Sequence, residues 1–126
     1  MNDPIFGEPI YAYCRAQAIA DGVLIDVTDA AREAGFRLPV AVTAGVWATC
    51  VAWEADEAGQ DERGRLWDVL WLARLATRKA KDLGEVDYSL RVEQASGRVE
   101  HFTLRLAIGP GDDGEPVLTI LYPGED

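Results

Sequence analysis

The spacing of apolar residues changes abruptly at Gly84, and this change constrains the fold of the 126-residue chain more than any other feature. Before Gly84, apolar side chains recur with the 3.6-residue period of a helix that runs from about Glu62 to Leu83. The broad apolar face of this predicted helix comprises Leu66, Val69, Leu70, Ala73, Ala76, Ala80 and Leu83. After Gly84 the period is two, which is typical of half-buried strands.

Two alternating runs follow Gly84 and predict an antiparallel hairpin closed by residues 95–97. If Gly97 takes the left-handed last position of a three-residue loop, the register is fixed. The predicted pairs are Leu90 with Phe102, Tyr88 with Leu104, Asp87 with Arg105 and Ser89 with Thr103. Residues 117–122 then return as a third strand. We therefore predict a three-stranded antiparallel β-meander covered by the long helix.

Short elements are predicted before residue 54. Helices are expected at 15–21, ending at Gly22, at 29–34, capped by Thr28, and from Thr43 to about 53. Residues 23–25 form a brief strand or extended segment, and residues 38–40 are extended. The expected fold class is α+β, in one domain over 1–126. Its parts are a short-helix region (1–53), an acidic loop (54–62), the long helix (62–84), the meander (85–122) and an acidic tail (123–126).

Composition and chain start indicate a soluble cytoplasmic protein. Hydrophobic residues make up 48% of the chain, enough to form a core. No apolar run approaches the roughly 18 residues of a membrane span, and the N-terminal residues lack the layout of a signal peptide. The two cysteines, Cys14 and Cys50, are expected to remain reduced.

Charge indicates which partners the chain can meet. Twenty-two Asp and Glu against twelve Lys and Arg give a net charge of −10, which repels phosphate backbones and attracts basic proteins. Direct binding of nucleic acid is therefore not expected. The clustered carboxylates are either solvated loops or a binding face for a basic or nucleic-acid-handling protein. The candidate residues are Glu54, Asp56, Glu57, Asp61, Glu62, Asp112, Asp113, Glu115, Glu125 and Asp126.

Motifs for catalysis are weak. Residues 109–114 match G-x-G-x-x-G, but a β-rich run follows where a dinucleotide site needs a helix. His101 is the only histidine, and one histidine with two isolated cysteines offers too few ligands for zinc. No catalytic residue, cofactor or metal site is predicted. A small hydrolase or metal-dependent enzyme centred on His101 or an acidic pocket remains the alternative.

A stripe of four residues, Trp67, Trp71, Arg74 and Arg78, lies nearly opposite the apolar face of the long helix. The favoured interpretation is a second core under the N-terminal helices, with the arginines at its edge. Trp and Arg are also enriched at binding hot spots, so a protein interface is the second interpretation. A platform for bases or sugars is the third. An interface between copies would make the protein a homo-oligomeric structural module, and a homodimer is one form of it.

Three segments carry a resemblance to a known family. They are YCRAQAIADGVLIDVTDAAREAGFRLPVAVT (13–43), GRLWDVLWLAR (64–74) and GPGDDGEPVLTILYPGED (109–126). The chain resembles a family of small acidic bacterial proteins of unknown function carried on plasmids, phages and integrative elements. The resemblance supplies no activity and no catalytic residues. It implies a non-enzymatic accessory protein of a mobile element that binds a host protein, as anti-CRISPR and anti-restriction inhibitors do.

Overall fold

The computed structural model describes residues 14–54, 61–79 and 84–125. Within them, helices and strands alternate in the first half and three long strands follow. The helices are α1 (Arg15–Ala20), α2 (Thr28–Glu33), α3 (Ala44–Val46, continued by a π-helical turn, Trp47–Val51) and α4 (Glu62–Ala76, continued by a 3₁₀ turn, Thr77–Lys79). The strands are β1 (Leu24–Asp26), β2 (Val40–Thr43), β3 (Glu85–Glu93), β4 (Val99–Pro110) and β5 (Pro116–Leu121).

The sheet has five strands in the order β1-β2-β5-β4-β3. The α+β class is confirmed, but the predicted three-stranded antiparallel meander is wrong, because β2 extends it by pairing parallel with β5. Antiparallel β1 then pairs with β2. The prediction failed because β2 is buried on both faces: Val40, Ala41 and Val42 are all 0% exposed, so the strand shows no alternation.

The predicted hairpin register is confirmed. Leu90 pairs with Phe102 and Asp87 with Arg105, and the intervening pairs follow. Gly97 has a φ of 86°, a left-handed conformation that favours glycine. Loop length and alternation together leave one register that keeps every apolar side chain on the covered face.

The predicted helices of the N-terminal region are present, with one different cap. The hydroxyl of Thr43 accepts from the N–H of Val46, as expected for an N-cap. Helix α2 begins at Thr28 and has no side-chain cap. The Thr28 hydroxyl instead donates to Asp26 (2.6 Å) and accepts from the N–H of Val40 (3.1 Å). Thr28 therefore joins α2 to β2.

Helix α4 covers one face of the sheet, and its regular α-helical geometry ends before the predicted boundary. Its α-helical part ends at Ala76 and a 3₁₀ turn follows, in which the Thr77 hydroxyl donates to the carbonyl of Arg74 (2.6 Å). The predicted apolar face is confirmed for its buried members, Leu66, Val69, Leu70 and Ala73. Ala76 is half-buried, and Ala80 and Leu83 lie outside the described residues. The same face of the sheet supplies Leu104, Ile120 and Val42 to this core.

Helix α1 lies on the opposite face of the sheet. Arg15 reaches β5, where its guanidinium donates to the Thr119 hydroxyl (2.9 Å) and the Leu118 carbonyl (2.7 Å). No helix in the described part of the chain is long and apolar enough to cross a membrane.

Candidate functional site

Trp67 and Trp71 form an exposed, stacked pair one turn apart on α4. Their ring centroids are 5.8 Å apart and their planes differ by 8°. Trp67 is 40% exposed and Trp71 is 41% exposed. The favoured prediction, a second core that encloses both indoles, is therefore wrong, because a large part of each indole remains exposed.

A groove runs beside Trp67 because the facing helix, α2, carries small side chains. Ala30, Ala31 and Ala34 face α4, and Ala31 and Ala34 are buried. The cavity between the two helices measures about 450 Å³. Its lining consists of Ala30, Glu33, Asp61, Arg63, Gly64, Leu66 and Trp67. We call this cavity, together with a second cavity that adjoins it at Ala30 and Leu66, the α2–α4 groove.

The groove continues toward β1 and a third tryptophan. A second cavity of about 230 Å³ shares Ala30 and Leu66 with the first and extends to Trp47. The two cavities are lined by four carboxylates, Asp26, Asp29, Glu33 and Asp61, and by one basic residue, Arg63. The groove therefore combines an apolar floor, aromatic walls and an acidic rim.

The two arginines of the predicted stripe differ in what they do. Arg74 is half-buried, and its Nε donates to the carbonyl of Gly35 (3.3 Å), which joins α4 to the end of α2. Gly35 has a φ of 105°, and a Cβ there would lie 2.9 Å from Arg74 Nε. Arg78 is exposed on the 3₁₀ turn. The stripe is therefore one structural arginine beside an exposed aromatic pair and an exposed arginine.

Five of the seven predicted acidic residues that the structure describes accept hydrogen bonds from backbone N–H groups of their own chain. Seven of the ten candidates lie within the described residues; Asp56, Glu57 and Asp126 lie outside them. Near the start of α4, Asp61 accepts from the N–H of Gly64 (2.7 Å) and Glu62 from the N–H of Trp53 (3.1 Å). Asp61 thus caps α4.

The C-terminal candidates are similarly engaged. Asp112 accepts from the first two N–H groups of α1, those of Arg15 (2.6 Å) and Ala16 (3.0 Å). Glu115 accepts from the N–H of Asp113 (3.0 Å). Glu125 accepts from the N–H of Tyr122 (2.7 Å) and from the Thr43 hydroxyl (3.0 Å). Glu54 and Asp113 are exposed carboxylates.

Asp112, Asp113 and Glu115 lie at the opposite end of the sheet from Asp61 and Glu62, whereas Glu125 lies beyond the end of β5, beside Thr43. Arg65, near the start of α4, contacts Glu93 at the end of β3, whereas the 111–115 turn follows the far end of β4. The twelve residues of β4 separate these ends by roughly 35 Å. The seven described candidates therefore do not form one continuous acidic face, and among these seven only Asp61 lines the α2–α4 groove.

Groups considered for catalysis are dispersed. His101 is exposed on β4 and pairs with Arg91 across the strands. Cys50 is 1% exposed and lies beside the hydrogen-bonded hydroxyls of Thr49 and Tyr122. Burial raises the pKa of its thiol, which disfavours the reactive thiolate. Among the residues that the structure describes, no three His, Cys, Asp or Glu side chains could hold a metal ion.

Sequence reasoning missed the buried Arg65, which is 5% exposed. Its Nε donates to the Val51 carbonyl (3.0 Å) and its Nη1 to the Glu93 carbonyl (2.7 Å). Its guanidinium lies 4.9 Å from the ring centroid of Trp53. The available signal was position, since Arg65 precedes Leu66 and lies four residues before Val69 on the apolar arc.

Comparison with known proteins gives one match. No curated protein and no solved structure matches the chain. One family model, described as "Family of unknown function (DUF6573)", matches residues 2–126. The resemblance to a family of unknown function is therefore confirmed, and the chain belongs to the DUF6573 family.

Proposed function

We propose that the protein is a non-enzymatic binding protein whose α2–α4 groove docks a segment of a partner protein. The observation that carries this proposal is the exposed stacked pair in which Trp67 lines the groove and Trp71 stacks on Trp67 just outside it. Tryptophan is enriched at interface hot spots because it combines a large apolar area with few rotatable bonds.

The area left exposed on the two indoles is large enough to matter for affinity. At about two-fifths exposure each ring leaves roughly 100 Å² uncovered. Covering both would contribute about 5 kcal/mol, at about 25 cal/mol per Å², before the costs of association are subtracted. The small side chains of α2 provide the depth for an apolar anchor of the partner.

The charge of the groove favours a basic partner segment. Four carboxylates and one arginine line it, and the whole chain carries a net charge of −10. Such a surface accelerates encounter with a positive segment, and binding should weaken as salt rises. The proposal keeps the basic partner that the sequence predicts. It places the contact in the groove instead of in the predicted acidic loops, and Asp61 belongs to both surfaces.

The wider role in this proposal is that of a cytoplasmic accessory protein of a mobile element. Its target would be a basic, nucleic-acid-handling host complex of the CRISPR or restriction type. The resemblance and the acidic charge support this role, since proteins that hold nucleic acid present basic surfaces.

The test is a pull-down with the tagged full chain from bacterial lysate at low and high salt, read by mass spectrometry. The double variant Trp67→Ala/Trp71→Ala should lose the captured protein. Ile108→Ala should keep it, because Ile108 is an equally exposed apolar residue at the far end of β4. A partner captured equally by the double variant contradicts the proposal.

A charge variant tests the basic partner separately. Asp61→Asn removes a charge from the rim and keeps a side-chain oxygen for the α4 cap. Combined with Glu33→Gln, it should reduce affinity for the captured protein and flatten the salt dependence. Unchanged salt dependence would contradict the charge argument while leaving the aromatic anchor in place.

A further inference from the structure

Strand β3 forms a long open edge of the sheet. It is the last strand in the order and pairs with β4 alone among the described strands. At its two ends, the N–H of Ile108 donates to the carbonyl of Gly84, and the N–H of Gln94 donates to the carbonyl of Arg98. Even-numbered positions therefore bond to β4. In an antiparallel pair the alternate, odd-numbered positions point their backbone groups outward.

One end of this edge is already covered. Arg65 Nη1 donates to the carbonyl of Glu93, at 2.7 Å. The open part of the edge therefore spans 85–91. An edge of this length is a template for strand pairing unless charge prevents it.

We propose that β3 pairs antiparallel with β3 of a second copy of the chain, with the twofold axis at Tyr88. This register places Glu85 opposite Arg91 of the second copy, once on each side of the axis. It places Asp87 opposite Ser89. Opposite charges that face each other across strands stabilise the pair.

Charge selects this register over its neighbours. Moving the axis to Asp87 sets that residue against its own copy. Moving it to Ser89 pairs Asp87 with Arg91, but it sets Glu85 against Glu93, whose carbonyl Arg65 already holds. An axis at Leu90 sets Asp87 against Glu93. Each alternative places like charges directly opposite each other, which is destabilising.

The solvent-exposed face of β3 also carries more negative than positive charge around Glu85 and Asp87. Arg105 lies 2.7 Å from Asp87 and 3.5 Å from Glu85, so one cation serves two carboxylates. Arg91 of the second copy would supply the second cation at Glu85.

Helix α4 adds an apolar seam along the same edge. Cavities of about 260 and 280 Å³ lie between α4 and β3. Half-buried Leu72 and Leu75 line the second cavity with Lys79, and exposed Asp68 lines the first. Because the second copy runs antiparallel, its Lys79 approaches Asp68 and its Leu72 approaches the first copy's Leu72. The same twofold rotation therefore brings together the two β3 edges and the two α4 helices.

The test is sedimentation equilibrium of the full chain over a wide concentration range. A chain of 13.8 kDa should approach twice that mass as concentration rises. Arg91→Glu should raise the dimer dissociation constant by about tenfold, because two attractive pairs become repulsive. Arg91→Lys keeps the charge and should keep the dimer. Glu85→Lys added to Arg91→Glu should restore it.

Proline tests the backbone part of the interface. The N–H of Ser89 points outward, so Ser89→Pro removes no hydrogen bond to β4 but blocks pairing with a second copy. Ser89→Ala is the matched control and should dimerise normally. If the Ser89→Pro variant loses the circular dichroism of the native fold, the Arg91→Glu and Glu85→Lys/Arg91→Glu variants test whether β3 is the dimer interface. A mass of 13.8 kDa at every concentration overturns the proposal, and so does a dimer whose dissociation constant Arg91→Glu leaves unchanged.

The two proposed interfaces are separable. The tryptophan pair and the β3 edge lie on different sides of α4, since different cavities flank them. Trp67→Ala/Trp71→Ala should therefore leave the dimer mass unchanged. If that variant abolishes dimerisation while Arg91→Glu does not, the β3 edge is not the interface.

Discussion

Replacing Arg65 with Met should destabilise the fold strongly, although no catalytic or binding role is assigned to this residue. Arg65 joins three elements. The residue belongs to α4, and its guanidinium donates to the carbonyl of Val51 at the end of the π-helical turn and to the carbonyl of Glu93 at the end of β3. Methionine has a similar length and fills the volume. The substitution therefore tests the two hydrogen bonds and the cation–π contact with Trp53 rather than packing.

The magnitude follows from the two carbonyl acceptors. Removing the donors leaves two carbonyls short of a partner, at about 1–3 kcal/mol for the buried Val51 carbonyl and at the lower end of that range for the part-buried Glu93 carbonyl. Part of this loss is offset because the guanidinium no longer has to be desolvated. The expected net loss in the free energy of unfolding is about 2–4 kcal/mol. Arg65→Lys should lose about half as much, because an ammonium can reach one carbonyl but not both.

The assay is urea unfolding followed by circular dichroism at one protein concentration. The midpoint should fall while the slope of free energy against urea stays constant, because the same surface is exposed on unfolding. A Met variant within about 0.5 kcal/mol of the original chain would refute the reasoning, since it would show that water or other donors satisfy both carbonyls.

Three further outcomes are expected. Asp112→Ala should lower the free energy of unfolding by about 1 kcal/mol and Asp112→Asn by less, in urea titrations, because the carboxylate caps α1; an unchanged midpoint would contradict the cap. Ellman's reagent should modify one thiol per native chain, exposed Cys14, and reach Cys50 only after unfolding; two fast thiols would be inconsistent with its burial. Burial raises the pKa of Tyr122 from 10.0 to about 12, so the unfolded chain loses this proton first as pH rises. Its stabilising contribution should be complete below about pH 10 and disappear by about pH 12, and absorbance at 295 nm should show a native phenol that titrates later than in urea.

The part of the fold that sequence reasoning predicted is the part specified by near neighbours. The β3–β4 register depends on one loop with Gly97 and on alternation within two adjoining strands. The pairing of β2 with β5 joins Val40 to Leu118, which are far apart in the chain. Neither strand has a local sequence pattern that identifies the other as its partner. Parallel pairs lack a turn that could reveal them.

The candidate site follows the same division. The helical period placed Trp67 and Trp71 on one stripe, and the structure retains that stripe. The exposure of Trp67 depends on how α2 packs, because Ala30 lines the groove beside it where a larger side chain would have covered the indole. A helical pattern specifies which residues share a face, but not what lies opposite that face.

Charge counting has a comparable limit, which bears on how acidic proteins are interpreted. Asp61 precedes Gly64 by three residues, so its capping role was available from local spacing. Asp112 caps a helix 97 residues away, and no local pattern reveals this. A carboxylate that accepts backbone N–H groups still contributes its charge to the long-range field, but a close contact with a partner would compete with those bonds. The net charge can therefore steer a basic partner toward the protein. On the groove rim, Glu33 makes only an exposed 3.9 Å ion pair with Arg63, so it can exchange that contact for one with a partner at less cost than a capping carboxylate can.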